Sequence, residues 1–293
     1  MLNIAGTIIL YNPNIGEIIK NMQSYIFGID KLIVVNNSDN IDDELELALN
    51  NTFKNKIIYI NNYQNLGIAT ALNIACDRAI ELEYDWMLTM DQDSKFINFS
   101  DYVECLSCLY NRDDLAIIGA NTQWTPEVSS PENTNYNYEE KFLLITSANF
   151  LNLKLFNTIG RFEDKLFIDM VDHDYCMKAH LLNFKIYYFK NIMVQHSLGN
   201  LFQRKNIFTK KIRKKIEHDP QRVYYITRNF LYTWKKYSNQ FPKEFNLLKT
   251  LNILFIHEIT KILIYEDQKF KKIYAKFLGL FHFLIGKYGK YTL

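Results

Sequence analysis

The chain has 293 residues, of which 48% are hydrophobic and 23% are charged, with only 10 Gly and 5 Pro. This composition excludes a collagen-like chain, a flexible linker and an intrinsically disordered chain. The net charge of +2 averages two unlike parts, because residues 1–203 contain 14 Lys and Arg against 26 Asp and Glu, whereas residues 204–293 contain 20 against 6. The asymmetry predicts an acidic globular domain over residues 1–203 and a basic C-terminal region over residues 204–293 that faces an anionic partner.

Short apolar runs alternate with helical patterns over the first 90 residues. The runs predict four strands, at residues 3–10, 31–35, 56–60 and 85–90, and the periodic segments predict helices at residues 15–27, 43–53 and 68–83. This alternation is typical of an α/β fold with a mostly parallel sheet and helices on both faces. Polar clusters follow three of the strands, at residues 11–13, 36–39 and 91–94. Because ligands of such sheets bind beyond the carboxyl ends of the strands, we predict a ligand pocket at this edge.

The remaining elements are predicted from the same patterns. Residues 123–140 are rich in Pro, Asn, Ser and Glu and predict a loop near the pocket, and after residue 201 a helical, basic pattern continues to the C-terminus. Between them we predict a strand at residues 141–150, a helix at residues 172–183, and strands at residues 184–189 and 192–194.

Features that report on the cellular compartment point to a reducing, cytoplasmic setting. No basic segment precedes the first apolar run, and no uninterrupted apolar run reaches the roughly 18–20 residues of a membrane helix. Four cysteines are too few for a disulfide scaffold, and Cys105-Leu-Ser-Cys108 lies in an apolar helical pattern, which favours buried, reduced thiols over a zinc or redox site. We therefore expect a cytoplasmic protein, with contact to the inner face of the cell membrane left open.

Asp91 and Asp93 directly follow the apolar run at residues 86–90. Two carboxylates at i and i+2 where a strand ends can both turn toward one divalent cation, and their oxygen atoms suit Mg²⁺ or Mn²⁺, which bridge nucleotide phosphates. The same tripeptide also occurs in ordinary turns. His196 ends another apolar run and is either structural or a third ligand of the same metal.

Asp172 has two interpretations. It lies beside other carboxylates and before a helical pattern, so it is either the N-cap of that helix or a general base that accepts a proton from an acceptor hydroxyl. The chain has no GxSxG, Walker or GxGxxG motif. These absences argue against a serine hydrolase of that type, a P-loop enzyme and an ordinary NAD enzyme.

Taken together, the ordered motifs resemble the inverting family 2 glycosyltransferases with a GT-A fold, and specifically their rhamnosyltransferase-like branch. The resemblance covers nearly the whole chain. The matching stretches are Gly6-Thr-Ile-Ile-Leu-Tyr-Asn-Pro13, Val34-Val-Asn-Asn-Ser38, Asn65-Leu-Gly67 with Ala71-Leu-Asn73, Met90-Asp-Gln-Asp-Ser94, Thr146-Ser-Ala-Asn149, Leu166-Phe-Ile-Asp-Met-Val-Asp-His-Asp174, Val194-Gln-His-Ser197 and Val223-Tyr-Tyr-Ile-Thr-Arg-Asn229.

The resemblance implies a role for each matched position. The positions that would contact the nucleotide-sugar are Thr7, Tyr11, Asn12, Asn37, Ser38, Asn65, Gly67, Asn73, Asp91, Gln92 and Arg228. The metal would be held by Asp91, Asp93 and His196, and Asp172 would be the catalytic base. The acceptor-side positions are Ser147, Asn149, Asp169 and Asp174. Arg228 would stabilise the leaving diphosphate by charge-assisted hydrogen bonds. The chain departs from the family at Asn36, where many relatives have Asp, and at Val171, where many have Glu.

The activity that the resemblance implies is a metal-dependent, inverting transfer of a sugar to a glycan hydroxyl in bacterial cell-surface polysaccharide synthesis. The expected donor is dTDP-rhamnose. Two alternatives stay open: the same chemistry with another donor such as UDP-galactose or UDP-glucose, and a catalytically silent binding subunit of a polysaccharide assembly complex. Pocket details fix the donor sugar, so fold and motifs do not.

Two apolar stripes at helical spacing mark the basic C-terminal region. The first comprises Leu248, Leu251, Phe255, Ile259 and Ile262, and the second comprises Phe270, Ile273, Phe277, Phe281 and Leu284. The stripes have three interpretations: they pack on the catalytic domain, they lie on an anionic bilayer near a lipid-linked acceptor, or they form a homodimer. A nucleic-acid partner is not expected, because no recognised binding motif accompanies the lysines.

Overall fold

The computed structural model describes residues 2–40, 43–122, 138–196, 201–205 and 212–293, with 201–205 and 212–216 described by their backbone alone. The described chain divides into two compact units. The first comprises Met1–Glu163 and Val171–Ser197, and the second comprises Asp164–Met170 and Leu198–Leu293. The sequence pattern placed this division between residues 203 and 204 and did not separate residues 164–170. Most of the predicted loop at residues 123–140 lies outside the described residues.

The first unit contains a sheet of nine described strands. They are β1 (Ile4–Leu10), β2 (Lys31–Asn36), β3 (Ile57–Asn61), β4 (Trp86–Asp91), β5 (Ser94–Phe96), β6 (Leu115–Asn121), β7 (Tyr138–Glu140), β8 (Asn149–Asn152) and β9 (Lys185–His196). Their order is β3-β2-β1-β4-β8-β6-β9-β5, and β7 pairs with β9. Its helices are α1 (Ile15–Met22), α2 (Asp43–Phe53), α3 (Ile68–Glu81), α4 (Phe99–Leu109), α5 (Leu153–Ile159) and α6 (Val171–Leu181).

The first four strands of this order are parallel, as the alternation of strands and helices predicted. Leu10 of β1 lies opposite Asn36 of β2, and Ile9 of β1 lies opposite Asp91 of β4. The carboxyl ends of these strands are therefore neighbours at one edge of the sheet. Fully buried side chains such as Ile8, Val34 and Leu88 form the apolar cluster that holds these strands in place. Burial of each such side chain contributes roughly 1.5–3 kcal/mol.

Beyond β4 the mostly parallel sheet also contains antiparallel pairs. Strand β8 runs antiparallel between β4 and β6, and β5 runs antiparallel to β9. A single strand, β9, replaces the two strands that were predicted at residues 184–189 and 192–194. The polar residues Lys190 and Asn191, which separate the two predicted strands, belong to β9 and lie where its register with β6 shifts. Helix α1 ends at Met22 rather than at residue 27, and the Ser24 hydroxyl donates a hydrogen bond to the Asn21 carbonyl there (2.7 Å).

The sequence pattern predicted that the second unit is helical throughout. The structure instead has two strands there in addition to helices. Its described elements are two strands, β10 (Leu201–Lys205) and β11 (Ile212–Ile216), and four α-helices, α7 (Pro220–Tyr237), α8 (Leu247–Leu251), α9 (Glu258–Tyr265) and α10 (Lys269–Leu284). The two strands pair antiparallel. Charged and polar residues outnumber apolar ones in these strands, so no clear alternation marks them. A π-helical segment, Asn252–His257, connects α8 to α9.

Helices α7 and α10 pack closely at Gly279, where a Cβ atom would lie 2.8 Å from the Tyr224 carbonyl oxygen. Among the described helices, none is long and apolar enough to cross a membrane.

The four cysteines are free thiols, as expected, but Cys108 is exposed, whereas the pattern predicted that it would be buried. Burial raises the pKa of the Cys105 thiol to about 12, so this thiol is protonated at neutral pH.

Candidate active site

Polar groups at the ends of β1, β2 and β4 are connected by hydrogen bonds. The Tyr11 N–H donates to Gln92 Oε1 (2.9 Å), and Gln92 Nε2 donates to the Tyr11 carbonyl (3.3 Å). The Asn12 N–H donates to Ser38 Oγ (2.9 Å). Tyr11 is 46% exposed, so it is accessible to a ligand at this edge. The predicted convergence of these loops is therefore confirmed.

Asn37 organises the neighbouring loop before α3. Its Oδ1 accepts hydrogen bonds from Asn62 Nδ2 and from the Leu66 N–H (both 3.0 Å), and its Nδ2 donates to Asn65 Oδ1 (3.1 Å). Gly67, the residue before α3, has a φ of 86°, a backbone conformation that glycine adopts without a steric penalty. Since the Asn37 amide is committed to these contacts, it shapes the loop rather than offering a free group to a ligand.

Asp91, Asp93 and His196 form a cluster at the same edge. Each offers one ligand atom, and these atoms all lie within 4.8 Å of one another. His196 Nδ1 is 3.5 Å from Asp93 Oδ1 and 4.0 Å from Asp91 Oδ2. The antiparallel pairing of β5 with β9 creates this cluster, because it places Ser94 opposite His196. Two carboxylates and an imidazole fit a divalent cation such as Mn²⁺ or Mg²⁺.

Ser94 and Ser147 support the histidine of this cluster. The buried Ser94 hydroxyl is hydrogen-bonded to His196 Nδ1, and Ser147 Oγ donates to Ser94 Oγ (2.8 Å). Burial lowers the pKa of His196 below its ordinary value, against an opposing effect of Asp93, so the imidazole is neutral at pH 7 and able to bind a metal. Ser147 is 1% exposed, so it belongs to this support and is not reachable from the acceptor side, contrary to the expectation.

Asp172 lies in the first turn of α6 and is half-buried. Its Oδ2 accepts a hydrogen bond from the Thr146 N–H (3.1 Å) and its Oδ1 accepts one from the adjacent His173 N–H (2.8 Å). An N-cap side chain would instead accept from a backbone N–H two or three residues further along the chain. The capping interpretation therefore does not describe this residue, and the carboxylate keeps lone pairs for a further donor.

Four other predicted site residues are closed to a ligand. Thr7 and Asp174 are fully buried, and Asp174 pairs with Lys178 (2.9 Å). The Asn73 side chain donates to the Phe162 carbonyl (2.9 Å) and accepts from the Phe162 N–H (3.0 Å), so it connects α3 to this residue. Asn149 is 4% exposed and donates to the Ile145 carbonyl (2.5 Å). The motif pattern identifies these positions but does not distinguish a buried contact from a ligand contact.

Arg228 of α7 is fully buried in the second unit. Its N–H groups donate, over 2.9–3.3 Å, to oxygen atoms of Asn229, Tyr224, Gly289, Lys165 and Leu166. These bonds use all five N–H groups of the guanidinium, so none is left for a diphosphate, contrary to the expectation. Asn229 Nδ2 donates to the carbonyls of Leu166 and Ile168 (both 2.6 Å). The Arg-Asn pair thus fixes the segment Asp164–Met170.

That segment is conformationally unusual. Three of its non-glycine residues, Phe167, Asp169 and Met170, have φ values of 62–65°, in the left-handed region of the backbone. Such conformations cost of order 1–3 kcal/mol each and persist only where the surroundings impose them. Asp169, predicted on the acceptor side, pairs with Arg222 (3.2 Å). The segment is followed along the chain by Val171, the first residue of α6.

We expect Arg228→Met to lower the free energy of unfolding by at least about 3 kcal/mol, because it leaves several buried oxygen atoms without donors. Arg222→Met is the matched control: the Arg222 side chain is 48% exposed, and its loss is expected to cost about 1 kcal/mol or less. Urea denaturation of both variants measures the difference. If the Arg228→Met protein is stable but binds a nucleotide-sugar poorly, Arg228 would instead be assigned to donor binding.

Two lysines beside the metal cluster were not singled out by the sequence. Asp93 lines a cavity of about 120 Å³ together with Lys20 and Lys95. The other lining residues are Glu17, Asn21 and Gln195. Lys95 follows Asp93 by two residues in the short strand β5, a signal that was available once β5 was recognised as a strand. The two lysines bring positive charge beside the Asp93 carboxylate, in a lining that also contains the carboxylate of Glu17.

No protein-family model matches the chain. The sequence is 26% identical over 296 residues to a dTDP-rhamnosyl transferase of Shigella flexneri, RfbF, and the alignment covers 94% of this chain and 92% of that protein. The alignment thus extends over nearly all of both proteins, including the C-terminal unit.

Solved structures share the fold at low sequence identity. A mannosyltransferase from Pyrobaculum calidifontis in complex with GDP-Man and Mn²⁺ has a TM-score of 0.59, is 10% identical and covers 95% of this chain and 73% of its own. S. aureus TarS 1–349 in complex with UDP-GlcNAc has a TM-score of 0.56 and 15% identity over 94% and 79%. GalNAc-T7 with UDP, GalNAc and Mn²⁺ has a TM-score of 0.57 and 10% identity; 81% of this chain aligns, but it spans only 51% of that protein. The fold is therefore GT-A.

Proposed function

We propose that this glycosyltransferase moves rhamnose from dTDP-rhamnose to a hydroxyl of a glycan acceptor, with inversion at the anomeric carbon. The observation that carries the proposal is the cluster of Asp91, Asp93 and His196 at the strand edge that also presents the Tyr11 ring. Similarity to a dTDP-rhamnosyl transferase over 94% of the chain supports this choice of donor. A glycan of a bacterial cell-surface polysaccharide, free or lipid-linked, is the acceptor class we propose.

In the proposed complex, the nucleoside lies against Tyr11 and the loop that ends at Ser38. Asp91, Asp93 and His196 would hold Mg²⁺ or Mn²⁺, which would supply positive charge against the diphosphate. Lys20 and Lys95 add positive charge in the cavity that Asp93 also lines, where an anionic group of a substrate would be stabilised.

Asp172 performs the proton transfer in this proposal. Its free lone pairs accept the proton of the acceptor hydroxyl while that oxygen attacks the anomeric carbon, and the bond from this carbon to the diphosphate oxygen breaks. A single displacement of this kind inverts the anomeric configuration. The Thr146 N–H and the His173 N–H orient the carboxylate without neutralising it. Arg228 and Asn229 have no direct part in this scheme, since they donate to backbone carbonyls of the segment Asp164–Met170.

A donor screen by thermal shift tests the donor assignment. With Mn²⁺ present, dTDP-rhamnose at 100 times its Kd is expected to stabilise the folded protein by about 2.7 kcal/mol, which raises Tm by several degrees. The comparison ligands are dTDP alone, UDP-galactose and UDP-glucose. A larger shift with either UDP-sugar would assign that donor instead. Binding without transfer to any glycan acceptor would leave a binding subunit as the function, and NMR of a transferred product reports its anomeric configuration.

A further inference from the structure

One face of α10 is apolar and exposed along its whole length. Phe270, Tyr274, Phe277, Phe281 and Leu284 follow one another at intervals of three or four residues, so they lie on the same side of the helix. We call these five residues the α10 face. Their exposed fractions range from 52% for Phe277 to 89% for Phe270. Five large apolar side chains exposed in a row are unusual for a surface that faces only water.

The exposed apolar surface continues beyond α10. The ring of Phe277 lies 6.1 Å from the ring of Phe255, in the π-helical segment. In the same part of the chain, Leu248 is 78% exposed and Ile256 is 67% exposed. Neither side chain is needed to fill the core of this unit, because Leu254 and Ile262 are the buried apolar residues of these helices.

Positive charge borders the α10 face. Lys269 and Lys271 flank Phe270 in the sequence and, at about 100° per residue, lie on either side of the stripe. Lys287 and Lys290 follow the end of the helix and are exposed. Residues 268–293 contain no Asp or Glu, so no acidic side chain of this segment offsets these lysines. An apolar stripe with lysines on both sides is the pattern of a helix that lies in a membrane interface.

The charge also discriminates between the occupants of this face. A second copy of the chain would bring the same lysines toward one another around the apolar stripe, and like charges repel. The phosphates of a nucleic acid would pair with the lysines, but the five apolar side chains would then face a charged phosphate backbone. An anionic bilayer satisfies both groups, since its acyl boundary accepts the rings and its headgroups attract the lysines. We propose that the α10 face inserts into the interfacial layer of an anionic phospholipid membrane.

Sedimentation with vesicles tests this proposal, with vesicles of phosphatidylcholine containing phosphatidylglycerol as the probe and phosphatidylcholine alone as the reference. The full chain is expected to sediment with the anionic vesicles, less so as salt is raised. Replacing Phe270, Phe281 and Leu284 by Ser is expected to lower the partition coefficient roughly 100-fold or more, because three of the five apolar side chains of the α10 face are lost. Replacing Lys271 and Lys287 by Gln is expected to lower it roughly 5-fold per residue.

Leu47→Ser is the matched control, since Leu47 is 62% exposed in the first unit and is not part of the α10 face. It is expected to bind vesicles as the wild type does, and Tm should be unchanged in every variant. The proposal is overturned if the triple Ser variant sediments as well as the wild type or if the wild type ignores anionic vesicles. A dimer, or a complex with a DNA duplex, that the triple variant abolishes without any vesicle binding would also overturn it. None of these readouts depends on the donor or on catalysis.

Discussion

Asp172→Asn is expected to lower sugar transfer by roughly 10²–10⁴-fold while the protein still binds its donor with near wild-type affinity. The carboxamide keeps the size of the side chain and one acceptor oxygen, but it cannot take up the proton of the acceptor hydroxyl. The prediction is specific to the chemical step, because the Asp172 carboxylate accepts hydrogen bonds from the backbone N–H groups of Thr146 and His173, which the carboxamide oxygen can also accept. Single-turnover transfer together with calorimetric donor titration measures both quantities.

Asp101→Asn is the matched control for this variant. Asp101 lies in the first turn of α4, as Asp172 does in α6, so both substitutions remove a carboxylate that stabilises the start of a helix. The control is expected to transfer sugar at the wild-type rate. Since an Asn at 172 would lose the Thr146 hydrogen bond in one of its two orientations, Tm of the two variants should be compared. Turnover by Asp172→Asn within a few-fold of the wild type would contradict the assignment of the base.

The parallel half of the sheet was predictable because its signals are local. Buried runs such as residues 31–35 end in polar clusters, and helical patterns of ordinary length separate them. Parallel strands that are joined by helices must place their carboxyl ends on one edge. The convergence of Tyr11, Ser38 and Asp91 follows from these two facts, and the register of β1 with β2 and β4 confirms it.

The metal cluster needed information that no local pattern contains. His196 reaches Asp93 because β5 pairs antiparallel with β9, a contact between residues about one hundred positions apart. Nothing near His196 in the sequence distinguishes a ligand from a structural histidine, so the sequence alone leaves both interpretations open. The family resemblance implied the ligand role, which stays a prediction, and the pairing of the strands explains why the imidazole lies beside the two carboxylates.

Arg228 shows that a residue at a matched motif position can have a structural contact in place of the ligand contact that the motif implies. An arginine next to an asparagine at a matched position was predicted to bind the diphosphate, because the sequence does not reveal whether the guanidinium is buried or accessible. In the structure its donors meet backbone carbonyls of residues 165, 166 and 289, none of which has a recognisable side-chain signal. The sequence also does not reveal which residues of the two apolar stripes are buried. Their spacing predicts helices, but the exposed fractions are needed to distinguish the exposed Phe270 from the buried Ile262.

Asp93→Ala is expected to lower transfer by about 10³-fold or more and to abolish the stabilisation of the protein by Mn²⁺. The substitution leaves Asp91 and His196 as two of the three clustered ligands, too few to hold a divalent ion that competes with its own hydration. The charge on the leaving diphosphate is then no longer neutralised. Excess EDTA is expected to have the same effect on the wild type, and added Mn²⁺ or Mg²⁺ should restore its activity but not that of the variant.

The matched control is Asp113→Ala, which removes an exposed carboxylate away from the strand edge and should leave both readouts unchanged. Thermal shift with Mn²⁺ alone separates metal binding from catalysis, because it needs neither donor nor acceptor. If Asp93→Ala still responds to Mn²⁺ but transfers no sugar, the carboxylate contacts the substrate rather than the metal. Full turnover of the wild type in EDTA would reject metal dependence altogether, and the lysines beside Asp93 would then be the positive groups left at this edge to stabilise the diphosphate.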